Sequence, residues 1–483
     1  MVHATSEVIG MPSAFVEIVR PFARLVPVVK KPERSPSFKL RLLYTMIGVI
    51  AYLLMMNVPL WGINVGRGYD IFWSLRVILA SSRGTLAELG IGPIVTGGLI
   101  LEILAGSKMI NIDFSDPDDR KAFNEAMRGM SVLMIIFESS VYVMGGAYGA
   151  LSPDKAFAVF LQLAVASAVI LMLDEAIRYY GIGSGISLFI LAGVAQQIFW
   201  ALFWPFPARD GLPIGFFAAL IAVLTGSGRI EEIFLRWNSP DLVGLIVTIF
   251  VFITIIYLES VRVEIPVEHV RFKYRMTYPI KLMYSSNIPV ILAGALFANI
   301  MFFSQILWSQ YPNNFFVSLL GSWTVEQTNQ GSRPIPTGGL AYFTVPPQSL
   351  LASLQNSIRA IGYSLIMIVS CWMFSVMWTD VAGLDPRSIA EQLLASELKI
   401  PGIRASVNEV ANYIAPYIYT AASLSGILIG VIAAVADCLG AFATGSGILL
   451  ATSITVGLYQ EIARRYIEEV PGTFRKLLFG RGF

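Results

Sequence analysis

Leu89–Gly106 reads LGIGPIVTGGLILEILAG, an apolar stretch interrupted at its start by Gly90, Gly92 and Pro93. Pro93 suits a first helical turn, where its missing N–H costs nothing, and the glycines let the preceding chain turn sharply. The pattern predicts a membrane helix that begins inside the bilayer instead of at its surface. Upstream lies a shorter apolar piece, Ile71 to Ala80, carrying Arg76 and bounded by Ser81, Ser82, Arg83 and Gly84. A run of about 10 residues cannot cross about 30 Å of hydrocarbon, so it reads as a half-helix or an interfacial segment. Irregular backbone at membrane depth is tolerated only where protein or a water-filled cavity surrounds it. The break therefore points to a pore, a gate or a binding site, with a kinked structural helix as the plain alternative.

Composition fixes the class. The chain has 483 residues, 55% of them hydrophobic and 14% charged, whereas soluble domains run to about 25% charged. With a mean hydropathy of +0.68, it reads as a polytopic α-helical membrane protein. Alternating short strands are absent, which argues against an outer-membrane barrel. Cys371 and Cys438 lie far apart in apolar stretches, and His3 and His269 are the only histidines. No disulfide framework, zinc spacing or histidine-based site follows. No Ser-His-Asp set, HExxH motif or nucleotide-binding loop is seen, so neither enzymatic activity nor a cofactor is expected.

Charge placement sets the topology. Glu7, Glu17 and Arg20 interrupt any cleavable signal core. Phe15, Val16, Ile18, Val19, Phe22 and Val26 recur at helical spacing, which suits a short helix on the membrane surface, broken at Pro21. Lys30, Lys31, Arg34, Lys39 and Arg41 precede a first span near Leu42 to Trp61 and place the amino terminus in the cytoplasm. Further spans are expected near Met130 to Ala150, Ala156 to Leu173, Ile186 to Trp204, Leu242 to Tyr257, Ile288 to Leu307, Ile361 to Met377, Ile414 to Ala436 and Gly447 to Tyr459. About ten spans result, with both termini cytoplasmic. The threading puts the basic segments Arg262 to Lys281, Asp380 to Val407 and the tail after Tyr459 in the cytoplasm; Tyr311 to Leu350, with Arg333 alone, falls outside.

GSGISLFI at Gly183 to Ile190 and GSGILLAT at Gly445 to Thr452 each open the last span of a five-span half. Five is odd, so two such halves would be inverted relative to each other. Intramembrane ionisable residues are few. Glu102, Asp174, Glu175 and Glu259 are expected near helix ends, the last three at cytoplasmic ends within reach of water. Glu138 sits well inside its span, and Thr96 and Asn299 are its nearest polar analogues. Three such groups suit either the lining of a helix seam or glue between packed helices. In the cytoplasmic stretch Val270 to Met276, V-R-F-K-Y-R-M, strict alternation predicts a strand with Arg271, Lys273 and Arg275 on one face. Two basic loops favour a large polyanion; a solvated hairpin or a site for anionic lipid headgroups is the alternative.

Several motifs in order carry a resemblance over nearly the whole chain: GTLAELGIGPIVTGGLILEILAG, YGIGSGISLFILAGVAQQIF, SVRVEIPVEH followed by YPIKLMYSSNIPVILAGALFANI, and VAGLDPRSIAEQL. Together they resemble the SecY family, the central (alpha) subunit of the Sec protein-conducting channel, and stand closer to its archaeal and eukaryotic branch. The resemblance implies an all-α clamshell of two inverted five-helix halves, with a half-helix plug over residues 71–82. It divides the chain into an amino-terminal cytoplasmic segment (1–36), an N-terminal half (37–239), a C-terminal half (240–463) with cytoplasmic loops 262–281 and 380–407, and a tail (464–483). It places the apolar pore ring on Ile91, Val95, Ile186, Ile190, Ile291 and Leu450, and lateral-gate positions on Thr96, Glu138 and Asn299. The plug falls on Ile71, Phe72, Leu75, Val77, Ile78 and Leu79. Ribosome docking falls on Arg271, Lys273 and Arg275 in one loop and on Arg387, Lys399 and Arg404 in the other. Between the histidine and YPIK, the glycines common in such loops are replaced by V-R-F-K-Y-R-M. Implied partners are a SecE (gamma-type) subunit, a small beta-type or SecG-type subunit, the ribosome, signal peptides and nascent chains, and the lipid bilayer. The implied place is the plasma membrane, or the endoplasmic reticulum membrane in a eukaryote.

The residue-level reading fits the same mechanism. A ring of branched aliphatics closes around any side chain yet dewets when empty. Opening the seam between Ile91–Gly106 and Ile288–Leu307 would release an apolar segment sideways into lipid. A secondary transporter, which also uses inverted repeats and broken helices, is the main rival and would show a midplane cluster of charged or polar ligands. A scaffold or insertase without a pore is the third class.

Overall fold

The structure, a computed structural model, describes residues 14–63, 73–106, 109–110, 112, 116–144, 148, 151–207, 211–226, 231–236, 239–269, 275–312, 314–328 and 331–469. A short helix α1 (Ala14–Val19) and a 3-10 turn over Arg20–Arg24 precede the first half, formed by α2 (Phe38–Asn57), α3 (Trp73–Ile78), α4 (Gly92–Gly106), α5 (Pro117–Met144), α6 (Pro153–Tyr180) and α7 (Gly185–Phe203). Two short helices, α8 (Phe216–Leu224) and α9 (Glu231–Phe234), lead to the second half. That half opens with α10 (Leu242–Ser260), the hairpin β1 (Arg262–His269) and β2 (Arg275–Lys281), and α11 (Ile288–Gln310). Next come α12 (Phe315–Leu320), the hairpin β3 (Ser322–Thr328) and β4 (Gly331–Gly338), α13 (Gly339–Phe343) and α14 (Leu350–Gln355). It closes with α15 (Ser357–Val381), α16 (Pro386–Ala395), β5 (Leu398–Lys399), α17 (Val407–Cys438) and α18 (Gly445–Glu469).

Among the described residues, eight helices are long and apolar enough to cross a membrane. With α4 and α18 they make the ten expected spans. At about 1.5 Å per residue, α4 is only about 22 Å long, short of a bilayer. It starts at Gly92, so Pro93 sits in its first turn. Gly90 holds φ +55°, and a Cβ there would lie 2.3 Å from the carbonyl oxygen of Leu79. The sharp entry thus rests on a residue that no side chain could replace.

The two halves share a device at matching places. The carboxylate of Asp174, late in α6, accepts the Ile186 N–H of α7 at 2.9 Å. Asp437, late in α17, accepts the Gly445 N–H of α18 at 2.8 Å. One junction lies at the cytoplasmic end and the other at the opposite end, as inversion requires. Gly185 and Gly445 open the two helices because a Cβ would fall 2.5 Å from the Asp174 Cα and 2.2 Å from the Ala436 Cβ, respectively.

Two expectations are corrected. The amino-terminal helix does not simply lie on the membrane: Val16, Val19, Ala23 and Val26 are buried because α1 and the 3-10 turn pack on the cytoplasmic end of α5. Asp174 and Glu175 are not open to water but 1% and 9% exposed, since each is held by an arginine, Arg178 at 2.6 Å and Arg128, respectively. Two small antiparallel sheets also join the helices, ordered β2-β1-β5 and β3-β4.

Candidate functional site

The described plug residues lie where four elements meet. Leu75, Val77 and Ile78 are at most 3% exposed, and Leu79 is half-buried; Ile71 and Phe72 lie outside the described residues. Small residues make the space: a Cβ on Gly294 of α11 would meet Ile78 at 2.7 Å, and one on Gly447 of α18 would meet Val77 at 2.6 Å. α7 lines the remaining side, with Gly193 facing Ala80. The segment after α3 is tied back by the Ile91 N–H, which donates to the Leu79 carbonyl at 2.9 Å, and by the Tyr52 hydroxyl, which donates to the Ala80 carbonyl. Tyr52 itself stacks on Phe189 at 4.3 Å. Helix α3 is shorter than the expected 71–82 because Leu79 to Ser81 wind into a turn, with Ala80 at φ +48°.

The six aliphatic side chains expected to form a ring come from α4, α7, α11 and α18 and the residue before α4. Ile91, Val95, Ile190, Ile291 and Leu450 belong to one buried apolar cluster that also holds Leu75, Val77 and Ile78; Ile186 packs against it half-buried. None is scattered onto a lipid-facing surface. With α3 in place, the plug helix and the six aliphatics share one apolar cluster.

The polar trio is brought together beside this cluster. Asn299 of α11 donates to the Thr96 hydroxyl of α4 at 3.2 Å, and Thr96 shares a hydrogen bond with the Glu138 carboxyl of α5. Gly92 leaves room for that carboxyl: a Cβ there would lie 3.4 Å from Oε2. A cavity of about 40 Å³ lined by Leu79, Glu88, Thr96, Glu138 and Asn299 has room for about one water. The Asn299–Thr96 bond is the only side-chain hydrogen bond between α4 and α11 among the described residues, so one weak polar contact spans an otherwise apolar interface.

Sequence reasoning noted Arg76 but not its partner. Its guanidinium lies 2.7 Å from Glu88, with the side chains 10% and 1% exposed. Glu88 also accepts the Gly84 N–H, which rivets the loop between α3 and α4. An arginine in so short an apolar run was the available signal, since a buried guanidinium demands a carboxylate.

On the cytoplasmic side, β5 pairs with β1, Lys399 standing opposite Glu268, so one three-stranded sheet joins both basic loops. Tyr284, following β2, donates to the Leu384 carbonyl at 2.7 Å, and burial pushes its phenol up, keeping it a neutral donor. Ile265, Val267, Ile280, Ile389, Leu393 and Ile400 form a separate small core beneath. Arg271 and Lys273 lie outside the described residues, so of the alternating strand only Arg275 and Met276 are seen, opening β2. Arg275, Arg387 and Arg404 are exposed and Lys399 half-buried. Two of these cations already have acidic neighbours, Arg275 with Glu268 at 3.1 Å and Arg387 with Glu391 at 3.2 Å.

Comparison with known proteins gives two family matches, one to the model described as SecY over residues 85–459 and one to the plug domain of Sec61p over residues 50–84. Among solved structures, the chain is similar to one described as a protein-conducting channel, at 35% identity and a TM-score of 0.77 over 93% of this chain and 98% of that one. It is also similar to canine Sec61 in a ribosome-channel complex from the endoplasmic reticulum, at 35% identity and a TM-score of 0.74 over 93% of this chain and 97% of that one. The yeast Ssh1 complex bound to the yeast 80S ribosome shares the fold at 23% identity, with a TM-score of 0.74 over 92% and 94% of the two chains.

Proposed function

This chain belongs to the SecY family, and from that premise we propose that the α4–α11 seam is its lateral gate and the cluster around α3 its resting seal. It is the pore-forming subunit of a protein translocation channel in the membrane. Unfolded preproteins pass between the two halves, and membrane segments leave sideways into lipid. The observation that carries this reading is the burial of the plug helix among aliphatics from α4, α7, α11 and α18. A helix so placed blocks the path between the halves, and its release opens that path. Ile91, Val95, Ile186, Ile190, Ile291 and Leu450 seal around the moving chain, while Thr96, Glu138 and Asn299 hold the seam shut between substrates.

A ribosome docks on the sheet and on α16, through Arg275, Arg387, Lys399 and Arg404 with Arg271 and Lys273, as a polyanion on projecting cations. SecE-type and small beta-type subunits complete the channel. The chain carries out no catalysis; the driving energy comes from a partner. The halves divide at residues 239 and 240, with 1–36 and 464–483 as cytoplasmic extensions.

The test is a thiol cross-link across the seam. Cysteines replace Thr96 and Asn299 in a channel whose Cys371 and Cys438 are changed to Ser or Ala, and a short bifunctional reagent joins them. Proteoliposomes bearing the joined channel should neither translocate a signal-bearing preprotein nor release its apolar segment to lipid, and a cleavable linker should restore both. Unimpaired translocation by the joined channel would show that the seam is not the gate.

A further inference from the structure

We propose that a cavity at the extracytoplasmic junction of the two halves binds an organic ammonium cation with an aromatic or apolar body. The cavity measures about 480 Å³ and is walled by the end of α7, the Ser239–Pro240 segment before α10, the loop between α13 and α14 and the Gly440–Thr444 loop between α17 and α18. That volume lies in the range of small-molecule sites, about 300–1,000 Å³. Trp200, Trp204 and Phe442 supply aromatic walls, the two tryptophan rings standing edge to face at 4.3 Å. Such faces attract cations through their quadrupoles.

Two side chains on the wall, Asp437 and Gln197, offer hydrogen-bond acceptors. Asp437 lines the cavity and is 3% exposed. Its oxygens accept from the Tyr363 hydroxyl at 2.7 Å, the Gly445 N–H at 2.8 Å and Ser446, all neutral donors, and among the described residues no cation pairs with it. The Oε1 of Gln197, on the same wall, is buried without a partner among the described residues. A buried carboxylate beside an unused acceptor favours a positively charged donor.

The other half of the molecule shows what is missing. Asp174 caps α7 as Asp437 caps α18, but four residues on it has Arg178, whose guanidinium pairs with it at 2.6 Å. Four residues beyond Asp437 stands Ala441, on the cavity wall. Where the first half carries its own cation, the second carries a small residue and an aromatic-walled space. Ala443 and Thr444 hold φ +53° and +65°, a costly conformation for non-glycine residues and one that recurs at ligand sites.

The test titrates the purified channel, with its partner subunits in nanodiscs, against 2-phenylethylammonium and against neutral 2-phenylethanol, with empty nanodiscs subtracted. The ammonium should bind about tenfold more tightly than the alcohol, the size of one hydrogen bond to the charged Asp437 carboxylate. Asp437→Asn keeps an oxygen to cap Gly445 and should erase the difference while leaving the alcohol's affinity unchanged. Ala441→Arg, which places a cation on the cavity wall near Asp437, should abolish ammonium binding. Equal affinity of wild-type channel for the two probes overturns the proposal, as does binding no greater than to empty nanodiscs. So does an ammonium preference that survives either substitution. If Asp437→Asn fails to fold, the wild-type comparison and Ala441→Arg decide alone.

Discussion

Neutralising Glu88 tests how the plug is held. The Arg76–Glu88 pair, 2.7 Å apart with side chains 10% and 1% exposed, joins α3 to the segment that runs into α4. Removing one partner of a buried pair costs about 3–5 kcal/mol, because the other charge is left without compensation. Arg76 keeps its hydrogen bond to the Glu88 carbonyl, 3.3 Å away, so Glu88→Gln should fall near the lower end, about 3 kcal/mol. All of that weighs against the sealed state if Arg76 regains water when the plug leaves. The released population should then rise about a hundredfold. Single-channel recording without ribosome or substrate reads this as open probability, and Arg76→Met should behave alike. The double substitution Arg76→Met with Glu88→Leu should return close to wild type, since a buried pair replaced by apolar groups of similar size is often neutral. A double variant as leaky as the singles, or silent singles, would refute the reasoning and leave the apolar packing of Leu75, Val77 and Ile78 as the whole of the seal.

Replacing Ile91, Val95, Ile190 and Leu450 together by glycine should raise resting ion conductance in planar bilayers, because a wider, wetter constriction no longer excludes ions; unchanged conductance would place the barrier elsewhere. Reversing Arg271, Lys273 and Arg275 to glutamate should weaken co-sedimentation with ribosomes and flatten its salt dependence, as fewer counterions are released, while an unchanged slope would remove that loop from the docking surface. Arg128→Met leaves Glu175 without its ion pair and frees the Val26 and Pro27 carbonyls, which Arg128 holds at 3.1 and 2.9 Å. The amino-terminal arm should then be cut after Arg24 by trypsin many times faster than in wild type, and equal rates would show that apolar docking alone retains it.

What could be read in the chain divides by the range of the interactions involved. Gly90, Gly92 and Pro93 act on their own backbone, so the half-length helix α4 was visible in a few letters. The positions of lysine and arginine relative to apolar runs likewise gave the topology, because the membrane imposes that order one segment at a time. The twin glycine motifs showed the repeat but not its mechanism. Asp174 and Asp437 lie in the preceding helices, and only folding reveals that each closes on the next helix start. The same holds for Glu88, twelve residues from Arg76, and for β5, whose two residues join β1 across the length of two membrane helices.

The polar seam shows why such long-range pairs matter to function. Glu138, Thr96 and Asn299 come from three helices and were legible only as isolated exceptions in apolar spans. Brought together, they supply a contact that is satisfied when the halves are closed and that water or a passing chain can also satisfy when they part. An apolar seam alone has no hydrophobic drive to close in lipid, since the tails are as apolar as the helices, and must rely on packing. A seam of strong ion pairs would not open for a signal segment, because each separated charge would meet hydrocarbon. Asn299 bonded to Thr96 at 3.2 Å lies between these limits: in membrane helices such a contact is worth about 0.6 kcal/mol, enough to bias the proposed gate shut and little enough for one apolar segment entering lipid to overcome.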